Sequence, residues 1–268
     1  MEKSTQATQV LPTREAVPRL VGIGLVIVWL LVWEWSIRSG LFRRDIFFPP
    51  SAIAALLYQS LLVSGQLQIH LWSTMSRMIV GLVIGATPAL LVGRFMGRND
   101  SARLTCGPIT AVLGLIPVIG AIPMYIVLFG VGNFSKWVMV AAAVFFPIVY
   151  TTMIGVRSCR AAEVAIRNPS ETIAQKNWPY SSRPWMFAGL KLGVVVGLAT
   201  LLGAEMFISR TGLGNVIFNA GSKLDFAQIY VGIAAAAFVA YTLWLCIAGV
   251  EWMFLRSGFF PTGPRTAP

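Results

Sequence analysis

Apolar runs long enough to cross a membrane recur along this chain. A helix needs about 20 mostly apolar residues to span the hydrocarbon core of a bilayer. The 268-residue sequence is 56% hydrophobic and only 12% charged, and its mean hydropathy is +0.73. A water-soluble domain of this composition would expose large apolar patches. The sequence also lacks the alternating segments of an outer-membrane barrel. It therefore predicts an all-α integral membrane protein.

Six runs are predicted to be transmembrane helices within one membrane domain, residues 20–255. A shorter apolar stretch, Ala52 to Val63, is predicted to be an interfacial or packed helix because it is too short to span. Residues 1–19 are predicted to be a cytoplasmic tail and residues 256–268 a disordered tail, and we expect no cleaved signal peptide. The predicted spans cover residues 20–37, 71–96, 109–131, 137–156, 184–208 and 226–254.

The distribution of Lys and Arg predicts the orientation of these spans. A net charge of +11 could indicate a nucleic-acid partner, but in a membrane protein it is typical of basic cytoplasmic loops, so we expect no nucleic acid. With six spans and the amino terminus inside, the cytoplasmic segments hold thirteen Lys and Arg residues and the external segments hold six. The positive-inside rule therefore places both termini in the cytoplasm.

One long charged segment, residues 157–183, separates the fourth and fifth predicted spans. A membrane protein that keeps such a loop usually uses it to contact something in water, and the predicted orientation places it in the cytoplasm. We therefore favour a contact with a partner over a passive solvated face. Its ionisable residues are Arg157, Arg160, Glu163, Arg167, Glu171, Lys176 and Arg183.

Two ionisable residues inside the spans are candidate pathway residues. Glu205 is an intramembrane acid, which is costly and therefore a functional candidate. Its alternative is a helix-end residue that is hydrated or neutralised by a partner such as Lys191. Arg77, near the outer end of the second span, could attract an anionic substrate because guanidinium pairs with sulfonate, nitrate or carboxylate groups. Its alternatives are a structural salt bridge and an interfacial anchor.

Small residues and prolines mark two of the spans. Pro117 and Pro123 interrupt the third predicted span, and a proline inside a helix loses a hydrogen bond and clashes with the preceding turn. This span is either a kinked packing helix or a helix that lines the translocation pathway. In the second span small residues recur every four positions, which predicts close helix–helix packing on one face. They are Gly81, Gly85, Ala89 and Gly93.

No catalytic, metal or cofactor site is predicted. Cys106, Cys159 and Cys246 are scattered without a metal-binding or disulfide spacing, and His70 is the single histidine. The Gly-x-Gly pairs lack the strand–turn–helix context of a phosphate-binding loop, so we do not expect this chain to bind ATP.

Short motifs in a fixed order connect these features. The chain resembles the membrane permease subunit of binding-protein-dependent ABC importers, of the taurine, aliphatic sulfonate and nitrate type, from about Phe48 to Leu255. The motifs that carry the resemblance are Phe48-Pro49-Pro50-Ser51, Ser73 to Arg77 with Gly81, Pro117 to Pro123, Phe129-Gly130-Val131-Gly132-Asn133-Phe134-Ser135-Lys136, Gly155-Val156-Arg157-Ser158, Gly189-Leu190-Lys191, Ala204-Glu205-Met206 and Gly212-Leu213-Gly214.

The resemblance implies a fold, partners and a location. The fold would be that of a type I ABC importer permease with six transmembrane helices in a bacterial inner membrane. Partners would be ABC ATPase subunits that carry the ATP and Mg²⁺, an extracytoplasmic solute-binding protein, and a second permease copy in a homodimer or heterodimer. The chain itself would not be an enzyme. It would form the translocation pathway for a small, anionic solute.

The resemblance also identifies the charged loop as the ATPase-coupling loop, and this is where the chain departs from the family pattern. Such permeases carry Glu-Ala-Ala, then Gly, then Leu-Pro. Here Glu163-Val164-Ala165 would begin the motif, Arg167 would follow it, and Pro169 or Glu171 stands near the expected Gly. Proline cannot adopt the left-handed turn that glycine permits. The docking surface is therefore expected to be altered. The alternative function is a transport-incompetent scaffold or regulator of an intact permease; a secondary transporter has little support.

Overall fold

The computed structural model describes residues 16–43, 45–167 and 182–256. These residues form α-helices and no β-strand, and a π-helical turn, Gln59–Val63, continues the second helix. In chain order the helices are α1 (Ala16–Arg38), α2 (Pro50–Tyr58), α3 (Gln66–Arg98), α4 (Asp100–Gly114), α5 (Ile122–Phe129), α6 (Asn133–Arg167), α7 (Arg183–Ile208), α8 (Leu213–Ser222) and α9 (Phe226–Arg256).

Five helices of the described residues are long and apolar enough to cross a membrane: α1, α3, α6, α7 and α9. They correspond to the first, second, fourth, fifth and sixth predicted spans. The all-α membrane fold is thus confirmed. The apolar stretch Pro50–Val63 is helical and shorter than a span, as the sequence predicts.

The third predicted span, residues 109–131, is not one continuous helix. It consists of the end of α4, a non-helical segment over residues 115–121, and α5. Pro117 lies within the break, where its ring and missing N–H oppose helix continuation. Pro123 lies in the first turn of α5, a position where a proline is tolerated because that N–H has no partner within the helix.

The predicted cytoplasmic loop begins later than its charge suggests. Residues 157–167 continue α6 without interruption. This stretch is rich in Ala and Arg, which favour helices, and holds no Gly or Pro. The charge of a segment indicates contact with water, but it does not decide between helix and loop. Residues 168–181 lie outside the described part of the chain.

The centre of the fold is a close contact between α3 and α6. The prediction that small residues form a packing face of α3 is confirmed, because each glycine there lies against the backbone or a side chain of α6. A Cβ added to Gly85 would lie 2.5 Å from the carbonyl oxygen of Ala141 and 2.5 Å from Cγ2 of Val144. Gly81 meets Val140 in the same way. The two helix axes can therefore approach only because these positions lack a side chain.

Helix α7 packs against the same pair through its own glycines. A Cβ on Gly197 would lie 2.7 Å from Cγ1 of Val144 and 2.8 Å from Cε of Met78. A Cβ on Gly189 would lie 2.1 Å from Oγ1 of Thr151. Helices α3, α6 and α7 thus form a tight three-helix core, on which α8 and α9 pack.

The outer surface of the bundle is apolar. On α1 almost every side chain between Val21 and Trp35 is exposed, which is the expected environment of a helix that faces lipid. Helix α1 is joined to α2 by Glu34, which accepts hydrogen bonds from the backbone N–H and the hydroxyl of Ser51, at 3.1 Å and 2.7 Å.

The close α3–α6 contact predicts that the same substitution, Gly to Ala, has different effects at two positions. We expect Gly85→Ala to lower the stability of the folded protein in detergent by about 1–3 kcal/mol, because the new methyl group overpacks the contact. Gly249→Ala adds the same methyl group to α9, where nothing lies within 4 Å, and should leave stability unchanged or slightly higher. Thermal unfolding of both variants measures the difference; equal melting temperatures would contradict the packing described here.

Candidate functional site: a buried charge cluster

Ionisable and polar side chains converge at one end of the three-helix core. They come from the first half of α3, the first turn of α6, the last turn of α7, the segment that joins α7 to α8 and the first turn of α8. This is the end that the distribution of Lys and Arg predicts to be external. We call the group the charge cluster; it comprises His70, Thr74, Arg77, Asn133, Lys136, Glu205, Thr211, Gly212 and Gly214.

Glu205 lies at the centre of the charge cluster and is fully buried. Its Oε1 accepts a hydrogen bond from Nη1 of Arg77 at 2.8 Å, which is also an ion pair. Its Oε2 accepts from the hydroxyl of Thr74 at 2.8 Å and from the backbone N–H of Gly214 at 3.1 Å. A buried carboxylate is tolerated when it is paired and hydrogen-bonded, and both oxygens of Glu205 meet this condition.

Arg77 is nearly as well satisfied. In addition to Glu205, Nη1 donates to the backbone carbonyl of Thr211 at 2.6 Å, and Nη2 donates to the Thr211 hydroxyl at 3.1 Å. Its Nε donates to Oδ1 of Asn133 at 2.9 Å. The planar guanidinium, with donors in a fixed fork, thus binds α6, α7 and the α7–α8 segment at once.

The backbone of the α7–α8 segment and of the first residue of α8 is hydrogen-bonded to α3. The N–H of Leu213 donates to Oγ1 of Thr74 at 2.8 Å, and the N–H of Gly212 donates to Nδ1 of His70 at 3.1 Å. Gly212 has φ +128°, and a Cβ there would lie 2.3 Å from Cδ of Glu205. Both the conformation and the space therefore require glycine at this position.

Of the predicted pathway residues, the structure brings Arg77 and Glu205 together. The geometry agrees with the salt-bridge alternative for Arg77, while a role of either residue in substrate passage stays a prediction. The suggested pairing of Glu205 with Lys191 is wrong. Lys191 instead donates to Glu251 of α9 at 2.5 Å, with its ammonium 4.9 Å from the ring centroid of Trp244. About four turns of α7, or about 21 Å along the helix, separate Lys191 from Glu205, so they cannot meet.

The other predicted pathway residues, Pro117 and Pro123, lie at the break between α4 and α5. Next to Pro123, Ile122 is buried and packs with Met139 of α6 and Ala204 of α7. The break is therefore attached to the same helices that carry the charge cluster. A pathway role for the two prolines stays a prediction.

The predicted coupling residues divide between described and undescribed parts of the chain. Glu163, Val164, Ala165 and Arg167 lie in the last turns of α6, whereas Pro169 and Glu171 lie outside the described residues. One turn before them, Arg160 donates to the carbonyl oxygen of Arg98 at 2.6 Å and lies 3.6 Å from a carboxylate oxygen of Asp100. The end of α6 is thus tied to the junction of α3 and α4.

Sequence reasoning missed most of the charge cluster. Thr74, Asn133, Lys136 and Thr211 were not singled out, because only the folded chain brings them beside Arg77 and Glu205. A signal was available: the motifs that end in Ser135-Lys136 and Gly212-Leu213-Gly214 each contribute to the cluster. Within the described residues no group of three or more His, Cys, Asp or Glu side chains could hold a metal ion, and we assign no metal ligands there.

Known proteins similar to this chain are named as transport permeases. The taurine transport system permease protein of Escherichia coli is 27% identical over 86% of this chain and 87% of its own length. The putative aliphatic sulfonates transport permease protein of Bacillus subtilis is 25% identical over 88% and 87%. The nitrate import permease protein of Synechococcus elongatus is 23% identical over 79% and 83%. A riboflavin transport permease also matches. No protein-family model matches the chain.

These matches confirm the resemblance that the motifs predict. The chain is similar over most of its length to ABC transport permeases named for taurine, aliphatic sulfonate and nitrate. Because a permease for riboflavin matches as well, the names do not agree on one solute.

The Arg77–Glu205 pair predicts strong non-additivity. Removing one partner leaves the other charge buried and unpaired, which costs about 3–5 kcal/mol. We therefore expect Arg77→Met and Glu205→Gln each to lower the free energy of unfolding strongly. The loss in the double variant should be smaller than the sum of the two single losses by at least about 1 kcal/mol. Unfolding of all four proteins in the same micelle measures the coupling, and strictly additive losses would contradict a direct pair.

Two glycines with positive φ allow the effects of backbone conformation and of steric space to be tested separately. Gly212→Ala combines a positive φ with a clash against the Glu205 carboxylate. Gly130→Ala imposes a similar conformational strain, at φ +76°, but nothing lies within 4 Å of its Cβ. We expect Gly212→Ala to reduce the yield and melting temperature of folded protein well beyond Gly130→Ala. Similar losses in both variants would mean that the positive φ alone, and not the lack of space, requires glycine at position 212.

Proposed function

We propose that this chain is the transmembrane permease subunit of an ABC importer, and that it forms the translocation pathway for a small anion. The observation that carries the proposal is the similarity to named permeases over 86% of the chain and 87% of the relative. The five apolar helices of spanning length agree with it. The choice of an anion follows the relatives that are named for taurine, aliphatic sulfonates and nitrate.

The proposed partners follow from the type of transport system. An extracytoplasmic binding protein would deliver the solute, two ATPase subunits would supply the free energy of ATP hydrolysis, and a second permease copy would complete the pathway. The ATP and Mg²⁺ would be bound by the ATPases. The chain would lie in a bacterial inner membrane with both termini in the cytoplasm, because that orientation places most of its Lys and Arg residues inside.

The course of α6 supports mechanical coupling. This helix has 35 residues and, at 1.5 Å per residue, a length of about 50 Å. It begins in the charge cluster at Asn133 and ends at Arg167, next to the proposed ATPase-docking loop. A displacement of that loop would therefore be transmitted along one helix to the opposite end of the bundle.

The contacts of α6 also favour joint movement of the core. Arg160 ties its end to the α3–α4 junction, and the glycine contacts bind α3 along the length of α6. At the other end, Arg77 and Glu205 join α3 to α7 and to the α7–α8 segment. The three helices would move as one body when the ATPases close, and alternating access would result from the movement of two such bodies against each other.

A second candidate function is a transport-incompetent scaffold or regulator that pairs with an intact permease. The observation that favours it is the departure of the coupling motif, in which Pro169 stands near the position of a glycine. Proline would remove a backbone donor and the left-handed turn between two short docking helices.

Reconstitution into liposomes with its ATPase and binding protein tests the first candidate. We expect uptake of the solute that the binding protein carries, dependent on ATP and lost when the ATPase cannot hydrolyse ATP. Absence of uptake with every component folded and assembled would contradict a transport function.

Co-purification separates the two candidates. A stable homodimer that retains the ATPase supports the transporting permease. A heterodimer in which only the second permease binds the ATPase supports the scaffold. Replacing residues 168–181 with a glycine-containing loop should strengthen ATPase association if the loop is degraded. It should weaken that association if the loop is adapted to its own partner.

A further inference from the structure

Lys136 is the one cation of the charge cluster without a protein partner. It lies in the first turn of α6, the residue is only 4% exposed, and it is within electrostatic range of both Arg77 and Glu205. Within the described residues its ammonium makes no hydrogen bond or ion pair. Every other charged group of the charge cluster is satisfied, so Lys136 is an exception that needs a physical explanation.

Glu205 cannot serve as the counter-ion of both cations. Its Oε1 binds Arg77, and its Oε2 already accepts from Thr74 and Gly214. Within the described residues the charge cluster thus holds two cations and one carboxylate, an excess of one positive charge. A buried charge is costly unless it is paired.

The position of Lys136 in α6 adds to this excess. The amino-terminal end of a helix carries a partial positive charge, because the first N–H groups point outward without partners within the helix. An acidic residue is favoured there and a lysine is not. The first turn of α6 contains no acidic residue. The helix end and the two cations therefore create a local positive potential that favours an anion.

Two neutral donors at this end of the bundle also lack partners. One is Nε1 of Trp137, the residue after Lys136, and the other is the hydroxyl of Ser209, the residue after α7. Both are buried without a hydrogen bond among the described residues. Buried donors are usually satisfied, so each of these two needs an acceptor that the described residues do not provide.

We propose that Lys136 is the centre of a binding site for one singly charged oxyanion, of the nitrate, sulfonate or carboxylate class. The ammonium supplies the charge, and Arg77 and the first turn of α6 supply a favourable potential. One negative charge would neutralise the excess of the charge cluster. This inference rests on the proposed function only in its choice of anions, and it names the substrate class that the permease would admit.

Anion-dependent stability tests the site without transport. The full chain is purified in detergent, and its melting temperature is measured while sodium nitrate or sodium methanesulfonate replaces sodium gluconate at constant ionic strength. Gluconate is too bulky for a buried site. A ligand that binds only the folded state stabilises it in a saturable way. We expect the melting temperature to rise to a plateau with nitrate or methanesulfonate.

Three lysine variants provide the matched comparison. Lys136→Met should abolish the response and, in gluconate, should be at least as stable as the parent, because an unpaired charge has been removed. Lys191→Met should lose stability in every buffer, since it leaves Glu251 unpaired, but should keep the response. Lys223→Met, on the exposed surface, should change neither. Lys136→Arg should retain the response, which covers the case in which the Met variant fails to fold.

Two outcomes would overturn the proposal. The first is a parent protein whose melting temperature does not respond to either anion, which would mean that Lys136 binds no anion of this class. The second is an unchanged response in Lys136→Met, which would place the anion elsewhere.

Reconstituted uptake then distinguishes a transported anion from a resident one. If the site serves passage, Lys136→Met should reduce uptake at least tenfold and Lys223→Met should not. If uptake persists in Lys136→Met while the anion response is lost, the anion is a fixed structural ligand. If the parent binds the anion but transports nothing, the proposed function fails and the site stands.

Discussion

The ion pair between Arg77 and Glu205 holds the end of the bundle together. Removing two charges from water is expensive, and a buried pair repays that cost only when further hydrogen bonds satisfy both groups. Here the pair receives them from Thr74, Thr211, Asn133 and the backbone of Gly214. Because these partners lie on α3, α6, the α7–α8 segment and the start of α8, satisfying the two charges also fixes the positions of those elements.

The ion pair in turn depends on how closely the helices approach. Arg77 and Glu205 are 128 residues apart in sequence, and they meet because Gly81, Gly85 and Gly197 allow α3, α6 and α7 to pack closely. In a bilayer, helix association gains little from the hydrophobic effect and relies on such close packing and on polar contacts. The glycine face and the charge cluster therefore act together in holding α3, α6 and α7 in place.

The sequence predicts the features that depend on one helix and misses those that depend on two. The apolar runs identify the spanning helices, and the spacing from Gly81 to Gly93 identifies a packing face. The sequence does not predict the length of α6 beyond Arg157, because charge alone does not distinguish a helix from a loop. The partner of Glu205 could not be chosen correctly between Arg77 and Lys191, since both are cations in apolar spans. Only the relative rotation and depth of α3 and α7 decide which one it meets.

Local rules are usually obeyed in folded proteins, and positions that violate them are expected to be functional or strained. In the charge cluster Glu205 and Arg77 obey the rule that buried charges are paired, and Lys136 does not. Lys136 lies at the start of α6, the helix that leads to the proposed ATPase-docking loop. A movement of α6 would therefore shift an uncompensated positive charge relative to α3 and α7. A permease that carries anions needs a site whose affinity changes when its helices move, and Lys136 has the charge and the position to provide one.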